Sequence, residues 1–241
     1  MRLDAVLVER GLYATRSRAA DAVRRGCVTV GGERVAKPGR NVDGAACIEV
    51  TDDAHSYVSR AALKLVAALD TGLEVAGRRA LDVGASTGGF TQALLKRDAA
   101  HVVALDVGRG QLADALRDDP RVTALEGLNA RDLCADDLPY RPDIVVGDVS
   151  FISLTLALPP ALALAAPGAD AVLLVKPQFE AGRGEVGKGG VVDPGKGERI
   201  AGRLRLWLDD EPDWQATALL PSPIHGADGN REWLLIGRKA C

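Results

Sequence analysis

The stretch Ala80-Leu81-Asp82-Val83-Gly84-Ala85-Ser86-Thr87-Gly88-Gly89-Phe90 decides how this chain is read. It opens as a short apolar run around one carboxylate, which predicts a buried strand. Small residues then turn the chain, and Thr91-Gln92-Ala93-Leu94-Leu95-Lys96 begins an amphipathic helix. Glycine permits a tight turn and a close approach of backbone to ligand, while the first N–H groups of a helix lack intrahelical partners. Val102-Val103-Ala104-Leu105-Asp106 then predicts a second strand, ending in a carboxylate where nucleotide-binding folds hold a ribose diol.

Three chemistries compete for the turn. As a dinucleotide fingerprint it is imperfect, with Ser86 where a second glycine belongs. As a nucleophile elbow, Gly84-x-Ser86-x-Gly88 is formally complete. As an S-adenosylmethionine loop, Asp82-x-Gly84-x-x-x-Gly88-Gly89 followed by Asp106 fits at every position. The plain alternative is a glycine turn that merely joins a strand to a helix.

The 241 residues suit one large or two small domains, and 47% apolar residues suffice for a proper core. The net charge of −3 is unevenly spread: residues 1–50 hold nine Arg and Lys against six Asp and Glu, the remainder 21 against 27. A basic head on an acidic body suits an anionic polymer held by the head. Cys27, Cys47, Cys134 and Cys241 have no C-x-x-C spacing, so neither a metal site nor a disulfide framework is expected, which suits a reducing compartment. The N-terminus has no apolar signal region, and the run Leu154 to Pro167 is too short to span a bilayer. A cytoplasmic protein without membrane or metal is the expectation.

Residues 2–10 predict a helix with Leu3, Val6 and Leu7 on one face, ended by Gly11. Thr15 or Ser17 caps a second, Arg16 to Arg25, with Ala19, Ala20 and Val23 inward and Arg16, Arg18, Arg24 and Arg25 outward. A Gly31-Gly32 hairpin and a strand from Ala46 to Val50 follow. The pattern Arg-Leu-Asp…Gly-Leu…Thr-Arg-Ser-Arg…Gly-Cys-Val-Thr-Val-Gly-Gly…Lys-Pro resembles the S-four-like (alpha-L) RNA-binding domain, placed here at residues 1–50. The resemblance implies phosphate contacts from Arg2, Arg16, Arg18, Arg24, Arg25 and Lys37, joined by Arg60 beyond the linker.

Residues 51–58 read as that linker, and residues 59–241 as a larger domain. Ser59 caps a helix carrying Lys64. Beyond Asp106, a helix from Gln111 to Arg117 and a strand from Val122 to Leu125 lead to the polar Asn129. A strand ends in Asp148, an apolar helix runs from Leu156 to Ala166, and another strand ends in Lys176. A glycine-rich loop from Ala181 to Pro194 is expected to lie over the site. Its Gly182-x-x-x-x-Gly187-Lys188-Gly189 lacks the Ser or Thr of a phosphate loop, and that reading is rejected. A helix from Lys196 to Leu208 and strands at Ala216 to Leu220 and Trp233 to Gly237 complete the chain, with Glu232 opening the last. This alternation predicts an α/β, Rossmann-like doubly wound sheet with its site at the carboxyl ends of the strands.

Gly84-Ala85-Ser86-Thr87-Gly88-Gly89-Phe90, Gly147-Asp148-Val149-Ser150-Phe151-Ile152-Ser153-Leu154 and Val175-Lys176-Pro177-Gln178-Phe179-Glu180 closely resemble the haemolysin A (TlyA) family. That family joins an S-four-like domain to an FtsJ-like, class I methyltransferase domain. The resemblance implies S-adenosylmethionine-dependent 2′-O-methylation of a cytidine in ribosomal RNA, with a Lys-Asp-Lys-Glu tetrad at Lys64, Asp148, Lys176 and Glu232. It implies cofactor contacts from Asp82, Gly84, Ala85, Ser86, Thr87, Gly88, Gly89, Phe90, Asp106, Asn129 and Asp148. A 2′-hydroxyl must lose its proton as it attacks, and a lysine beside a carboxylate suits that task. Lys176 is the expected base, Asp148 its orienting partner. The linker His55-Ser56-Tyr57-Val58 departs from the family's basic-x-Trp-Val, and the chain's length resembles members acting on the large subunit. Rival readings are a serine hydrolase using Ser86 with His225, a non-catalytic ribosome assembly factor, and a membrane-lytic protein, for which no cationic amphipathic segment is present.

Overall fold

A computed structural model describes every residue except Arg183, Glu185 and Ala227, and the side chain of Lys188. The expected loop of residues 181–194 falls partly on these positions, and its placement over a site lies outside the described residues. The chain divides into two compact units, residues 1–56 and 57–241.

In the first unit, α1 (Leu3–Glu9) and α2 (Arg16–Arg24) bury Leu3, Val6, Leu7, Ala19, Ala22 and Val23 in one core. Thr15, not Ser17, caps α2, its hydroxyl accepting the Arg18 N–H at 3.3 Å. Strand β1 (Val28–Val30) lies between β2 (Glu33–Arg34) and β3 (Ile48–Val50), antiparallel to both.

Arg16 and Arg24 are exposed as expected. Arg25, expected to join them, is folded inward instead. Its two terminal nitrogens donate to Asp52 at 2.8 Å and its Nε donates to Asp21 at 2.8 Å. The Tyr13 hydroxyl donates to the same Asp52 carboxylate at 2.7 Å. Burial alone raises the Asp52 carboxyl; the Arg25 guanidinium and the Tyr13 hydroxyl hold it below its usual value. A planar fork facing a buried carboxylate is a better use of this arginine than solvent. Arg2 is also engaged, donating to Asp4 at 3.1 and 2.9 Å while Arg16 reaches it at 3.2 Å.

The second unit runs α3 (Ala62–Leu69), β4 (Arg79–Val83), α4 (Gly89–Leu95), β5 (His101–Asp106), α5 (Asp114–Arg117), β6 (Val122–Glu126), β7 (Ile144–Gly147), α6 (Leu154–Ala157), α7 (Pro159–Leu164), β8 (Asp170–Val175), α8 (Pro177–Glu180), α9 (Pro194–Asp210), β9 (Trp214–Pro221) and β10 (Trp233–Lys239). Its sheet has the order β6-β5-β4-β7-β8-β10-β9, parallel from β6 to β8, with β10 antiparallel to both neighbours. The strand order reverses between β4 and β7, so a crevice opens at their carboxyl ends. Leu81, Val83, Val103 and Leu105 pack one face against α6, α7 and α9; Ala80, Val102 and Val146 pack the other against α3 and α4.

Three elements differ from the sequence reading. Ser59 does not cap α3: its hydroxyl accepts the Ala61 N–H at 3.2 Å, and Ala61 stands at the cap position without a side-chain bond. The single apolar helix expected from Leu156 to Ala166 is divided, because Pro159 has no N–H to continue α6 and instead opens α7 at its first position. The helix expected from Gln111 begins only at Asp114, since Gly110 and Gln111 donate their N–H groups to Glu126 at 2.9 and 3.3 Å.

Asp52→Ala leaves the Arg25 charge without its main partner and should destabilise the first unit by about 3 kcal/mol. Hydrogen exchange on the intact chain checks this: protection should fall in α2 and β1 and hold in β4 and β7. Unchanged protection in α2 would place the strength of the unit elsewhere.

Candidate active site

The crevice is shaped by one close approach. Gly84, at φ +84°, lies so near the next strand's end that a Cβ there would meet the Asp148 carbonyl oxygen at 2.7 Å. The Asp148 N–H donates to the Val83 carbonyl at 2.9 Å, which fixes the two strand ends together. Beyond the turn, Ser86 takes φ +47° and directs its N–H to Asp106 Oδ2 at 2.8 Å; Gly108 N–H donates to Oδ1 at 2.7 Å. These groups enclose a cavity of about 470 Å3, lined also by Val107, Gln111, Leu128, Asn129, Val149, Ser150 and Phe151. A glycine floor, a fixed carboxylate at the rim and this volume suit an adenosyl-sized ligand.

Of the eleven expected cofactor residues, Gly84, Ser86, Asp106, Asn129 and Asp148 line the cavity. The other six lie outside its lining. Ala85 and Phe90 are core residues, 7% and 2% exposed. Gly88 and Gly89 serve helix packing: a Cβ at Gly88 would meet Leu116 at 2.3 Å, and one at Gly89 would meet Ser59 at 3.0 Å. Thr87 is exposed and its carbonyl accepts the Ala113 N–H at 3.3 Å. Asp82 is wholly buried beneath the turn. It accepts a 2.7 Å hydrogen bond from the Thr91 hydroxyl through one oxygen, while the other has no hydrogen-bond partner. Burial pushes its carboxyl up to about 7, against the Thr91 bond and with the charges of Asp148 and Asp106 adding to the rise.

The expected tetrad resolves into two lysine–carboxylate pairs. Lys64, on α3, makes an ion pair with Glu232 with side chains 7% and 2% exposed. Lys176 Nζ lies 2.5 Å from Asp148 Oδ1 and also donates to Ser150 Oγ at 2.8 Å. The register pairs Trp233 with Val175, so the next residues on each strand, Glu232 and Lys176, come to the same end of the sheet. Phe151 takes φ +65° and is 91% exposed, its ring 5.0 Å from that of Phe179. Sequence reasoning singled out neither Ser150 nor Gln111, whose side-chain oxygen accepts from the Ser86 hydroxyl at 3.2 Å. Both stand in loops without a periodic signal. The hydrolase reading loses its base: His225 Nδ1 lies 3.1 Å from the Gly229 carbonyl, and His225 lines a groove apart from Ser86, one that Glu232 also lines.

Among the remaining expected RNA contacts, Lys37 is exposed and Arg18 and Arg60 are half-buried. Among the described residues, no cluster of His, Cys, Asp or Glu is placed to hold a metal ion, and no helix is long and apolar enough to cross a membrane.

Known proteins share this arrangement. Residues 57–239 match the family model of the FtsJ-like methyltransferase, and residues 1–46 that of the S4 domain. The chain is 49% identical, over 97% of its length and 88% of the relative's, to the 16S/23S rRNA (cytidine-2'-O)-methyltransferase TlyA of Mycobacterium tuberculosis. It is 36% identical, over 73% of its length and 69% of the relative's, to the 23S rRNA (cytidine-2'-O)-methyltransferase TlyA of Campylobacter jejuni. A solved putative hemolysin from Streptococcus thermophilus superposes with a TM-score of 0.77 at 38% identity, covering 100% of this chain and 88% of its own.

Two outcomes are expected. Gly84→Ala drives a methyl group into the Asp148 backbone and should weaken S-adenosylmethionine binding at least about tenfold by calorimetry, since φ +84° is also strained for alanine. Asp82 is raised from 3.8 to about 7 on folding, so the folded chain binds the extra proton between those values and stability falls as pH rises through them. Asp82→Asn should flatten that fall between pH 5 and 8 in thermal unfolding. An equal loss of stability at both pH values would show that the folded chain relies on the ionised carboxylate.

Proposed function

The chain belongs to the FtsJ-like methyltransferase family and carries an S4 domain at its head, and on that premise we propose that it methylates the ribose 2′-oxygen of a cytidine in ribosomal RNA. S-adenosylmethionine is the methyl donor. The observation that carries the reading is the meeting of Lys176, Asp148 and Ser150 at the edge of the cavity lined by Gly84 and Asp106.

When bound, S-adenosylmethionine supplies an electrophilic methyl group on a sulfonium. Asp106, Ser86 and Gln111 would hold the adenosyl end, and the glycine turn would admit its close approach. Lys176, once its own proton has passed to solvent, would receive the proton of the 2′-hydroxyl as that oxygen takes up the methyl group. Asp148 and Ser150 aim its Nζ. Lys64 and Glu232 satisfy each other and form a rigid wall that keeps the ribose in line, which supplies part of the rate as alignment. Phe151 offers an exposed ring on which the target base stacks once it leaves its helix. In the S4 domain Arg16, Arg24 and Lys37 meet phosphates, with Arg2 and Arg18 as further contacts there and Arg60 as one in the second unit. Arg25 leaves this set because it is bound to Asp52.

Both relatives are named for 23S RNA, so the large ribosomal subunit is the proposed first substrate and the small subunit the alternative. A cytoplasmic site of action follows from that substrate.

Purified chain, tritiated S-adenosylmethionine and each unmodified subunit in turn test the proposal. Label should enter large-subunit RNA as 2′-O-methylcytidine, and Lys176→Ala should lower the rate at least about 100-fold. Tight subunit binding with no label on either would favour a non-catalytic assembly factor.

A further inference from the structure

One wall of the cavity is the segment Asp148-Val149-Ser150-Phe151-Ile152. Its backbone is strained, because Phe151 at φ +65° occupies the left-handed region, which costs a residue with a side chain of order 1 kcal/mol. Such a conformation persists only where its surroundings hold it. The stretch from Lys176 to Glu180 does so at three places. Lys176 reaches Asp148 and Ser150, Phe179 meets Phe151, and Glu180 takes the far end. Both Glu180 oxygens are used: one accepts the Ser153 O–H at 2.6 Å, the other the Leu154 N–H at 2.7 Å.

Glu180 is 9% exposed, and burial pushes its carboxyl above the usual value against the Leu154 and Ser153 bonds. A buried acid is more than a four-residue helix needs. Ser153 already caps α6 by accepting the Thr155 N–H at 3.2 Å. Glu180 is itself tied down, its carbonyl accepting from Arg203 of the long helix α9 at 2.6 Å. The carboxylate therefore transmits the position of a rigid element to a strained loop.

We propose that Glu180 is a positioning residue for methyl transfer. By fixing residues 150–153 it keeps the Ser150 oxygen where Lys176 can donate to it, and so holds Lys176 against Asp148. This rests on the reading of Lys176 as the reaction's base. Glu180 itself does not line the cavity.

A double-mutant cycle on the full chain tests this, with kcat and KM for subunit RNA measured at saturating cofactor and thermal unfolding followed in parallel. Glu180→Ala should lower kcat between about 10- and 100-fold with less than a threefold change in KM. Glu180→Gln should recover most of it, since its amide can accept from Leu154 and donate to Ser153. Ser150→Ala should also lower kcat, and Glu180→Ala with Ser150→Ala together should lose no more than the larger single loss. Ser153→Ala removes one of the two bonds and gives the same cycle if Glu180→Ala does not fold. Losses that multiply, or a lowered unfolding temperature with kcat unchanged, would overturn the proposal. Lys176→Ala as the control separates the two levels: an active Lys176→Ala sinks the base assignment and this proposal together, while an inactive one beside a fully active Glu180→Ala sinks this proposal alone.

Discussion

An ammonium group withdrawn from water needs acceptors in place of that water, and Lys64 and Glu232 meet the need for each other. The constraint reaches far beyond the pair. Lys64 stands on the helix before the first strand of the sheet, and Glu232 at the start of β10. For them to meet, β10 must enter between β8 and β9, against the direction of its neighbours. The loop that leads into it must also pass close, and at Gly226 a Cβ would stand 2.6 Å from the Glu232 carboxylate. The pair thus ties the helix before the sheet to its antiparallel edge, which the ladders with β8 and β9 hold in place.

The second pair is built on opposite terms. Lys176 and Asp148 retain 12% and 16% exposure, and their neighbours Ser150 and Phe151 face outward. A lysine that is to take a proton must be reachable, whereas one that frames a ribose need not be. The same two residue types therefore form one closed pair and one open pair. What separates them is burial and a third partner, since Ser150 gives Lys176 an acceptor besides Asp148.

The Rossmann-like sheet was legible because its signal is local. Most of its parallel strands are short apolar runs with a polar residue at or just beyond the end, and the turns after β4, β5 and β6 are marked by glycine. The turn at Gly84 could be read as a ligand cradle, but not which of its residues touch the ligand. Gly88, Gly89 and Phe90 answer to α3, α5 and the core, and sequence spacing cannot tell packing from binding. Arg25 was misread for a related reason. Periodicity assigns a face, while its partner Asp52 lies 27 positions away and announces nothing. Lys64 sits in Ala-Leu-Lys-Leu, where a surface lysine and a buried one look alike; its place just before the ligand turn made it a candidate without revealing its burial. Glu180 stood inside a quoted motif and Gln111 at the start of an expected helix, with nothing to mark what either side chain holds.

The late position of β10 has a consequence for how the chain comes into being. Lys64 is synthesised 168 positions before the carboxylate it needs. Until Glu232 has been added, the emerging polypeptide carries a lysine destined for the interior with nothing to neutralise it there. A chain ended before this strand lacks both β10 and the carboxylate that faces Lys64, so the last part of the chain to be made completes a contact with one of the first parts of its domain.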